Sequence, residues 1–313
     1  MKLKKPKFWD YKHPTFISYL LLPLTFPLII NNFLLKFKKK KNNDQKTKSI
    51  CIGNIYVGGT AKTPLTIKIY QILSSLNFKT ATIKKFYAEH VDEQKMLAEK
   101  TKLYCLKNRK IALDKAIKDN IDVVIFDDGL QDRSINYDLK FVCFNNIKWI
   151  GNGFLIPAGP LREKVQSIVK YDAVFINGNT INNSNLKLLI KKYNKNIKIF
   201  ESHYKPTNIH EFNTNEKYLI FSGIGNPEGF KEILIKNKFN IVTEIIFPDH
   251  YNYTQNDIDR IKSQAKNLNA KIITTEKDYT KINSDTNNDI KFLQVEVKIK
   301  DEIELINYLK INI

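Results

Sequence analysis

Short apolar runs alternate with stretches of helical periodicity over most of the chain. Runs of β-branched and aromatic residues fit buried strands of a parallel sheet, and the longer periodic stretches between them fit helices. The pattern predicts a strand that ends before the glycines at 58 and 59, further strands near 79–83, 102–106, 121–126, 139–144, 173–177 and 196–201, and helices over 64–76, 92–100 and 109–119. Residues 49–205 are therefore predicted to form an α/β domain with a parallel sheet.

The same pattern returns in a shorter block that begins near residue 217. Strands are predicted near 218–221, 241–247 and 271–274, with helices over 228–237 and after 251, and with turns at 222–227 and 275–278. Residues 206–313 are therefore predicted to form a second, smaller α/β domain. The chain of 313 residues is long enough for two domains of ordinary size.

Residues 14–37 form a long apolar stretch with lysines on both sides. Its length is close to the roughly 20 residues that a membrane-spanning helix needs, but Pro23, Pro27 and two asparagines interrupt it. Basic residues on both flanks favour a helix that lies in one anionic leaflet over a single span, and a buried core helix is a further alternative. A signal peptide is less favoured, because no small-residue cleavage site follows. Residues 1–48 are thus predicted to be a membrane-anchoring segment with a basic linker at 38–48.

The stretch from 56 to 63 predicts a phosphate-binding loop. A strand, a glycine pair, a Lys-Thr pair and a helix follow one another; in such loops the backbone N–H groups face the phosphates, the lysine reaches the β- and γ-phosphates, and the threonine hydroxyl binds Mg²⁺. Two residues stand where the usual pattern has glycine, and the second of them disfavours a positive φ, so a reshaped loop is expected. A Gly-Gly turn with an exposed lysine is the alternative. The predicted nucleotide-binding residues are Tyr56, Val57, Gly58, Gly59, Thr60, Ala61, Lys62 and Thr63.

A second acidic motif supports nucleotide binding. The apolar run at 121–126 is typical of a central strand, and Asp127 and Asp128 follow it directly. The carboxyl end of such a strand lies beside the phosphate loop in a parallel sheet. Either carboxylate is therefore placed to hold Mg²⁺ against a nucleotide, as a Walker-B acid does. A solvated Asp-Asp-Gly turn is the alternative.

Composition narrows the class of partner. The formal net charge of +19 indicates an anionic partner such as nucleic acid, anionic lipid or a phosphorylated substrate. A nucleic-acid-binding protein is not favoured, because basic and aromatic residues do not interleave on any predicted strand pair. Three cysteines without Cys-x-x-Cys spacing argue against a disulfide framework or a zinc site, and they favour a reducing compartment.

Seven stretches taken together resemble one family, the tetraacyldisaccharide 4'-kinases that act in lipid A biosynthesis. They include Gly-Gly-Thr-Ala-Lys-Thr-Pro in the loop, Asp-Asp-Gly-Leu-Gln after the central strand, and Pro-Ala-Gly-Pro-Leu-Arg-Glu further along. Any one of them alone is weak, whereas their order is specific. The stretches are 53–64, 91–93, 127–131, 153–163, 221–230, 247–250 and 275–278.

The resemblance implies a fold, an activity and a location. It implies a P-loop domain that carries an N-terminal membrane helix, a smaller α/β domain, and an active site in the cleft between them. The implied reaction moves the γ-phosphate of Mg-ATP to the 4'-hydroxyl of a tetraacylated glucosamine disaccharide 1-phosphate. Family members work at the cytoplasmic face of the bacterial inner membrane, and the protein is expected to be a monomer on that anionic surface.

The resemblance also implies residue roles. Lys62 would stabilise the β- and γ-phosphates, and Asp92 would take the proton from the sugar hydroxyl while His250 orients it. Such a base is required because the alcohol must lose its proton as it attacks. The implied metal ligands and reaction-centre acids are Thr63, Asp127, Asp128 and Glu163. The implied substrate contacts are Arg162, Gln131, Asn108 and Arg109, with Arg162 on a substrate phosphate, for which a guanidinium is suited.

This sequence departs from the family pattern at three places. Asp132 and Arg133 follow Gln131 where the family has His-Arg, and Lys84 and Lys85 stand in place of Ser-Arg. Ala61 replaces the loop glycine. The alternative from another class is a membrane-associated P-loop switch ATPase of the partitioning or metallochaperone kind. That group carries a signature lysine before its glycines, at the position that Val57 occupies here.

Overall fold

The structure is a computed structural model that describes residues 5–34, 47–132, 134–178, 182–282 and 288–313. The described residues leave out 38–46, which is most of the basic linker predicted at 38–48. They also leave out Arg133, the second residue of the pair that follows Gln131.

Most strands lie close to their predicted positions, and the last two strands of the chain were not predicted. The strands before residue 210 are β1 (Lys48–Gly53), β2 (Thr80–Lys85), β3 (Leu103–Leu106), β4 (Val123–Asp127), β5 (Leu139–Asn145), β6 (Ala173–Asn177) and β7 (Lys198–Pro206). Those after it are β8 (Lys217–Ser222), β9 (Asn240–Ile246), β10 (Lys271–Thr275), β11 (Ile290–Leu293) and β12 (Val295–Ile299).

Helices connect the strands in the way that an α/β fold requires. They are α1 (Phe16–Leu20), α2 (Phe26–Leu34), α3 (Lys62–Ser75), α4 (Val91–Lys100), α5 (Arg109–Lys118), α6 (Ser184–Tyr193), α7 (Pro227–Lys236), α8 (Gln255–Asn267), α9 (Glu276–Tyr279) and α10 (Glu302–Asn312). Short 3₁₀ segments occur at Lys7–Asp10, Leu22–Thr25, Val165–Lys170 and Ile209–Glu211.

In the described part of the chain, eight strands form the larger sheet in the order β12-β7-β6-β5-β1-β4-β2-β3. Its neighbouring strands are parallel except for β12, which pairs antiparallel with β7. Every residue of β4 is buried, as expected for a central strand covered on both faces. The register places Ile52 of β1 and Lys84 of β2 beside Asp127 of β4, so three carboxyl ends meet where the phosphate loop begins.

Helices cover both faces of the larger sheet. Ile69 and Leu73 of α3 pack with Phe141 and Phe175 on one face. Ala112 and Leu113 of α5 pack on the opposite face, beside Val124 and Phe126. The helical spacing of these apolar residues explains why the segments fold as helices, since their apolar stripes are buried against the sheet.

The smaller sheet has the order β11-β10-β8-β9, and its neighbouring strands are parallel. Ile258 and Ile261 of α8 pack on one face, and Phe230 and Leu234 of α7 pack on the other. The fold class predicted from the sequence, two parallel α/β blocks of unequal size, is confirmed.

The end of the chain differs from the predicted division at 206–313. Strand β12 joins the larger sheet, and α10 buries Leu305 and Leu309 in the larger core together with Val297 and Ile299. The sequence pattern could not show this, because local periodicity does not identify the sheet to which a strand returns. The segment predicted as a turn at 275–278 also begins helix α9, which Thr275 caps by accepting from the N–H of Asp278.

The N-terminal apolar stretch forms two short helices that are separated by a 3₁₀ turn at Pro23. Among the described residues, no helix is both long enough and apolar enough to cross a membrane. Several large apolar side chains here face solvent: Phe16 is 82% exposed, Leu20 67% and Phe26 62%. These helices therefore leave an apolar surface uncovered in the isolated chain.

Candidate active site

The predicted phosphate loop lies between β1 and α3. Gly58 has a φ of 146° and Ala61 a φ of 62°, so both occupy conformations that favour glycine. Ala61 is the residue that caps α3 at its N-terminus. For an alanine this left-handed conformation costs about 1–2 kcal/mol. The loop is not reshaped to avoid a positive φ at this position, because Ala61 itself adopts the left-handed conformation.

Contacts on both sides hold the loop in place. The N–H of Val57 donates to the carbonyl of Pro160 at 2.9 Å. Tyr56 is buried, its hydroxyl donates to Asp10, and the Lys5 ammonium lies over its ring. A Cβ atom at Gly59 would lie 3.1 Å from the backbone nitrogen of Asn226, so the loop passes directly beside the 222–227 turn of the smaller sheet.

The first acid of the Asp-Asp pair is completely buried. The Thr63 hydroxyl donates to Asp127 Oδ2 at 2.9 Å, and the Thr66 hydroxyl donates to Oδ1 at 3.4 Å. The Lys84 ammonium donates to the same Oδ2 at 2.5 Å and to Glu93 Oε2 at 2.6 Å. Burial acts to lower the pKa of Lys84, but its ion pairs with Asp127 and Glu93 outweigh burial and raise that pKa.

The second acid faces the cations of the site. Asp128 Oδ1 lies 3.9 Å from the Lys62 ammonium and accepts from Arg162 at 3.2 Å. Burial raises the pKa of Asp128, but the charges of Lys62 and Arg162 outweigh burial and lower that pKa to about 2. Asp128 has a φ of 56°, and its carbonyl accepts from the Arg109 guanidinium at 2.6 Å.

Glu163 joins this group through Gln131. The Gln131 amide donates to Glu163 Oε1 at 3.2 Å, and its oxygen accepts from Arg162 at 3.3 Å. Carboxylates and hydroxyls are the oxygen ligands that Mg²⁺ prefers. The donors Thr63, Asp128 and Glu163 therefore fit a magnesium ion in chemical type. Asp127 differs from them, because it is completely buried and both of its oxygens already accept hydrogen bonds inside the protein.

Asp92 comes from a helix of the larger unit and His250 from a segment of the smaller one, and their side chains meet. Asp92 lies in the first turn of α4, and His250 follows β9 with a φ of 56°. The His250 Nδ1 atom lies 3.2 Å from Asp92 Oδ1 and 3.1 Å from Oδ2. A ring nitrogen so close to an ionised carboxylate carries the proton in this pair, which leaves Nε2 on the far side of the ring.

Two lysines from α9 and the turn after it complete the surroundings of Asp92. The Lys281 ammonium lies 3.1 Å and the Lys277 ammonium 3.6 Å from Asp92 Oδ2. Burial raises the pKa of Asp92, but the His250 hydrogen bond and the lysine charges outweigh burial and hold that pKa below its usual value. Asp92 is therefore a carboxylate throughout the neutral pH range.

The pattern of the sequence missed four site residues: Lys84, Glu93, Lys277 and Lys281. Lys84 had a usable signal, because it ends a strand that neighbours the Asp127 strand in a parallel sheet. Lys277 stands in the 275–278 stretch of the family resemblance, whereas Lys281 had no signal; both lysines reach Asp92 through the packing of α9 on α4. His90 stacks on His250 with ring centroids 4.3 Å apart, and it offers a metal-ligand atom together with Glu93 and His250. The ammoniums of Lys84 and Lys277 already pair with Glu93.

Two of the residues predicted to contact substrate have local partners instead. Asn108 accepts from the N–H of Lys110 and caps helix α5. Arg109 is buried; besides the Asp128 carbonyl it contacts Asp132 at 3.2 Å. Asp132, which stands where the family has histidine, thus pairs with Arg109 and helps to fix the turn that carries Asp128.

The fold and the site define a P-loop protein of two α/β units. A parallel sheet leads through a glycine loop into a helix that begins with Lys-Thr, a Walker-B-like acid lies next to the threonine, and a carboxylate-histidine pair is shared between the units. Comparison with known proteins defines the class more closely. The family model described as tetraacyldisaccharide-1-P 4'-kinase matches residues 17–312. The chain belongs to this family.

Relatives and a solved structure agree with this assignment. A protein of Pelagibacter ubique named tetraacyldisaccharide 4'-kinase is 49% identical over 310 residues, which cover 99% of this chain and 98% of that protein. A protein of Rickettsia canadensis with the same name is 37% identical and covers 96% of this chain and 95% of its own length. The crystal structure of LpxK from Aquifex aeolicus in complex with ATP has a TM-score of 0.68 at 20% identity, and it covers 95% of this chain and 99% of that chain. This likeness confirms the fold.

Proposed function

We propose that this chain transfers the γ-phosphate of ATP to the 4'-hydroxyl of tetraacyldisaccharide 1-phosphate, the reaction that its family name describes. The observation that carries the proposal is the Asp92–His250 pair beside a phosphate loop. A switch ATPase has no need for such a base. Family membership and this pair therefore favour the kinase over the switch ATPase.

Nucleotide binding is assigned to residues 56–63. The positive end of α3 and the loop N–H groups attract the phosphates, and the Lys62 side chain reaches the β- and γ-phosphates. Thr63, Asp128 and Glu163 would hold the magnesium ion, with Asp127 behind Thr63. When bound, that ion neutralises charge on the phosphates during transfer.

Asp92 is the proposed proton acceptor. As the 4'-oxygen attacks the γ-phosphorus, the hydroxyl proton passes to the Asp92 carboxylate, the new O–P bond forms, and the bond between the γ-phosphorus and the bridging oxygen breaks to release ADP. The Nδ1–H of His250 fixes the carboxylate orientation. Lys277 and Lys281 keep Asp92 ionised at neutral pH, so its oxygens carry no proton of their own when the hydroxyl arrives.

We place the protein on an anionic membrane surface at the cytoplasmic face of the bacterial inner membrane. The exposed Phe16, Leu20 and Phe26 provide apolar area for insertion, and the net charge of +19 provides attraction to anionic lipid. A cavity of about 440 Å³ beside these helices is lined by apolar residues, among them Leu22 and Ile29, and by polar ones, among them Lys164 and Gln166. Arg162 is assigned to a substrate phosphate, and we expect a monomer.

Transfer of labelled γ-phosphate from Mg-ATP to tetraacyldisaccharide 1-phosphate in detergent micelles tests the proposal, with Lys62→Ala as the control. Lipid-dependent labelling that the variant lacks is the expected result. ATP hydrolysis at a rate indifferent to the lipid would instead support the switch ATPase and reject the kinase.

A further inference from the structure

Lys84 is a buried lysine at the centre of the phosphate-binding region. Only 3% of the residue is exposed, at the carboxyl end of β2 in register with Asp127. Its ammonium is 2.5 Å from Asp127 Oδ2 and 2.6 Å from Glu93 Oε2. Lysine is almost never fully buried unless it is paired, and here it is paired twice.

The position of the ammonium matters more than its burial. The Asp127 oxygen that it contacts is also the one that accepts the Thr63 hydroxyl at 2.9 Å. The lysine therefore lies against the acid that follows the central strand, where a P-loop enzyme uses a carboxylate close to its metal. Through Glu93 it also contacts the helix turn that carries Asp92.

We propose that Lys84 is a built-in cation of the phosphoryl-transfer site, which pairs with Asp127 and Glu93 and leaves the nucleotide-bound magnesium to Thr63, Asp128 and Glu163. The expected effect of Lys84 on catalysis rests on the proposed function, whereas its expected effect on metal binding does not. Lys84 is a positioning residue, because it acts through the two carboxylates and not on the substrate.

The consequence of removing the ammonium follows from charge. The Lys84 ammonium contacts both Asp127 and Glu93, and Glu93 also lies 3.5 Å from the Lys277 ammonium. Without Lys84, Asp127 loses the ammonium that contacts it, and the two carboxylates face each other across the space that the lysine filled. Adjacent carboxylates with room between them attract divalent cations. A variant that lacks the lysine side chain is therefore expected to bind one more divalent cation than the natural protein.

Mn²⁺ binding measures this directly and does not depend on turnover. Titration of the ADP complex, followed by loss of the free Mn²⁺ electron paramagnetic resonance signal, is expected to show one ion per natural chain. Lys84→Ala is expected to bind a second ion, or to bind the first at least fivefold more tightly. Lys85→Ala is the matched control, since the Lys85 ammonium lies over the Tyr87 ring, 5.3 Å from its centre. That control is expected to behave as the natural protein.

A second readout tests whether the missing group is a cation that donates hydrogen bonds. The Lys84→Ala kinase is expected to lose at least tenfold in kcat, and ethylammonium is expected to restore part of it, because it carries the same N–H donors into the vacated space. Tetramethylammonium, which has the charge but no donors, is expected to restore nothing. Lys84→Met, which keeps most of the side-chain volume, is expected to lose kcat without rescue by either ion.

The outcomes separate this inference from the proposed function. If Lys84→Ala and Lys84→Met are both folded by circular dichroism and bind Mn²⁺ with natural stoichiometry and affinity, the built-in cation is rejected. If neither variant folds, Lys84 is a structural residue and the inference is again rejected. If the natural protein phosphorylates no lipid but Lys84→Ala gains a Mn²⁺ site, the kinase proposal fails while the cation inference holds.

Discussion

Replacing Asp92 with asparagine removes the proposed base while the structure around it is kept. Asparagine keeps an oxygen that can accept the Nδ1–H of His250, so the pair can persist, but it cannot take up a proton from an alcohol. General-base catalysis contributes about 10²–10⁴-fold to rates. We therefore expect kcat to fall by that factor while the affinity for ATP changes by less than about threefold.

The cost in stability can be worked out from the partners of Asp92. Removing one member of a buried ion pair costs about 3–5 kcal/mol when the other charge is left alone. Here Lys281 keeps Asp278 at 3.0 Å and Lys277 keeps Asp249 at 3.2 Å. Because neither lysine is left without a carboxylate, we expect a smaller cost, about 1–3 kcal/mol by the same reasoning.

The pH dependence gives an independent check on this cost. The pKa of Asp92 is lower in the folded state than in the unfolded chain, so its contribution to stability is present above pH of about 4 and is lost as the pH falls through the folded value. The difference in unfolding free energy between the natural protein and Asp92→Asn should therefore shrink below about pH 4.

The assay pairs single-turnover phosphate transfer with urea unfolding monitored by circular dichroism. Glu276→Gln is the matched control: it removes a carboxylate from the same α4–α9 junction, where Glu276 pairs with Lys100 at 2.5 Å. We expect the control to lose stability but keep its rate. An Asp92→Asn enzyme that transfers phosphate within threefold of the natural rate would refute the role of Asp92 as base.

Three further predictions follow from single residues. Ala61→Gly removes the strain of a left-handed alanine but makes the unfolded chain more flexible. We therefore expect the free energy of unfolding in urea to rise by roughly 0–1 kcal/mol. A fall of more than about 1 kcal/mol would contradict the strain argument. Arg109→Gln deprives the Asp128 carbonyl and Asp132 of a buried donor and should cost about 2–4 kcal/mol, measured in the same way. Phe16→Ser with Leu20→Ser should reduce binding to anionic vesicles at least tenfold in flotation without changing ATP affinity; unchanged flotation would exclude this surface as the anchor.

Much of the larger sheet could be predicted from local pattern. The loop, the Asp127 strand and helix α4 follow from short-range signals, such as a glycine pair before Lys-Thr and an apolar run before two carboxylates. Asp92 and His250 could be paired only through family resemblance, because 158 residues separate them along the chain. Strand β12 and helix α10 could not be assigned to their sheet, since antiparallel return to an edge strand leaves no local mark.

The cations of the site were the hardest part to predict. A lysine such as Lys84 normally indicates an exposed surface position, and only its place beside Asp127 in the sheet reveals that it is buried. Arg109 presented the reverse problem. The family resemblance implied a substrate contact, but tertiary packing uses the guanidinium to hold the backbone of Asp128.

The three basic groups that contact the Asp92 carboxylate all come from the smaller unit, whereas Asp92 itself lies on helix α4 of the larger one. The environment of this carboxylate therefore depends on the packing of the two units and not on its own helix alone. A substitution that weakens that packing far from Asp92 would expose the carboxylate to water and move its pKa back toward the ordinary value.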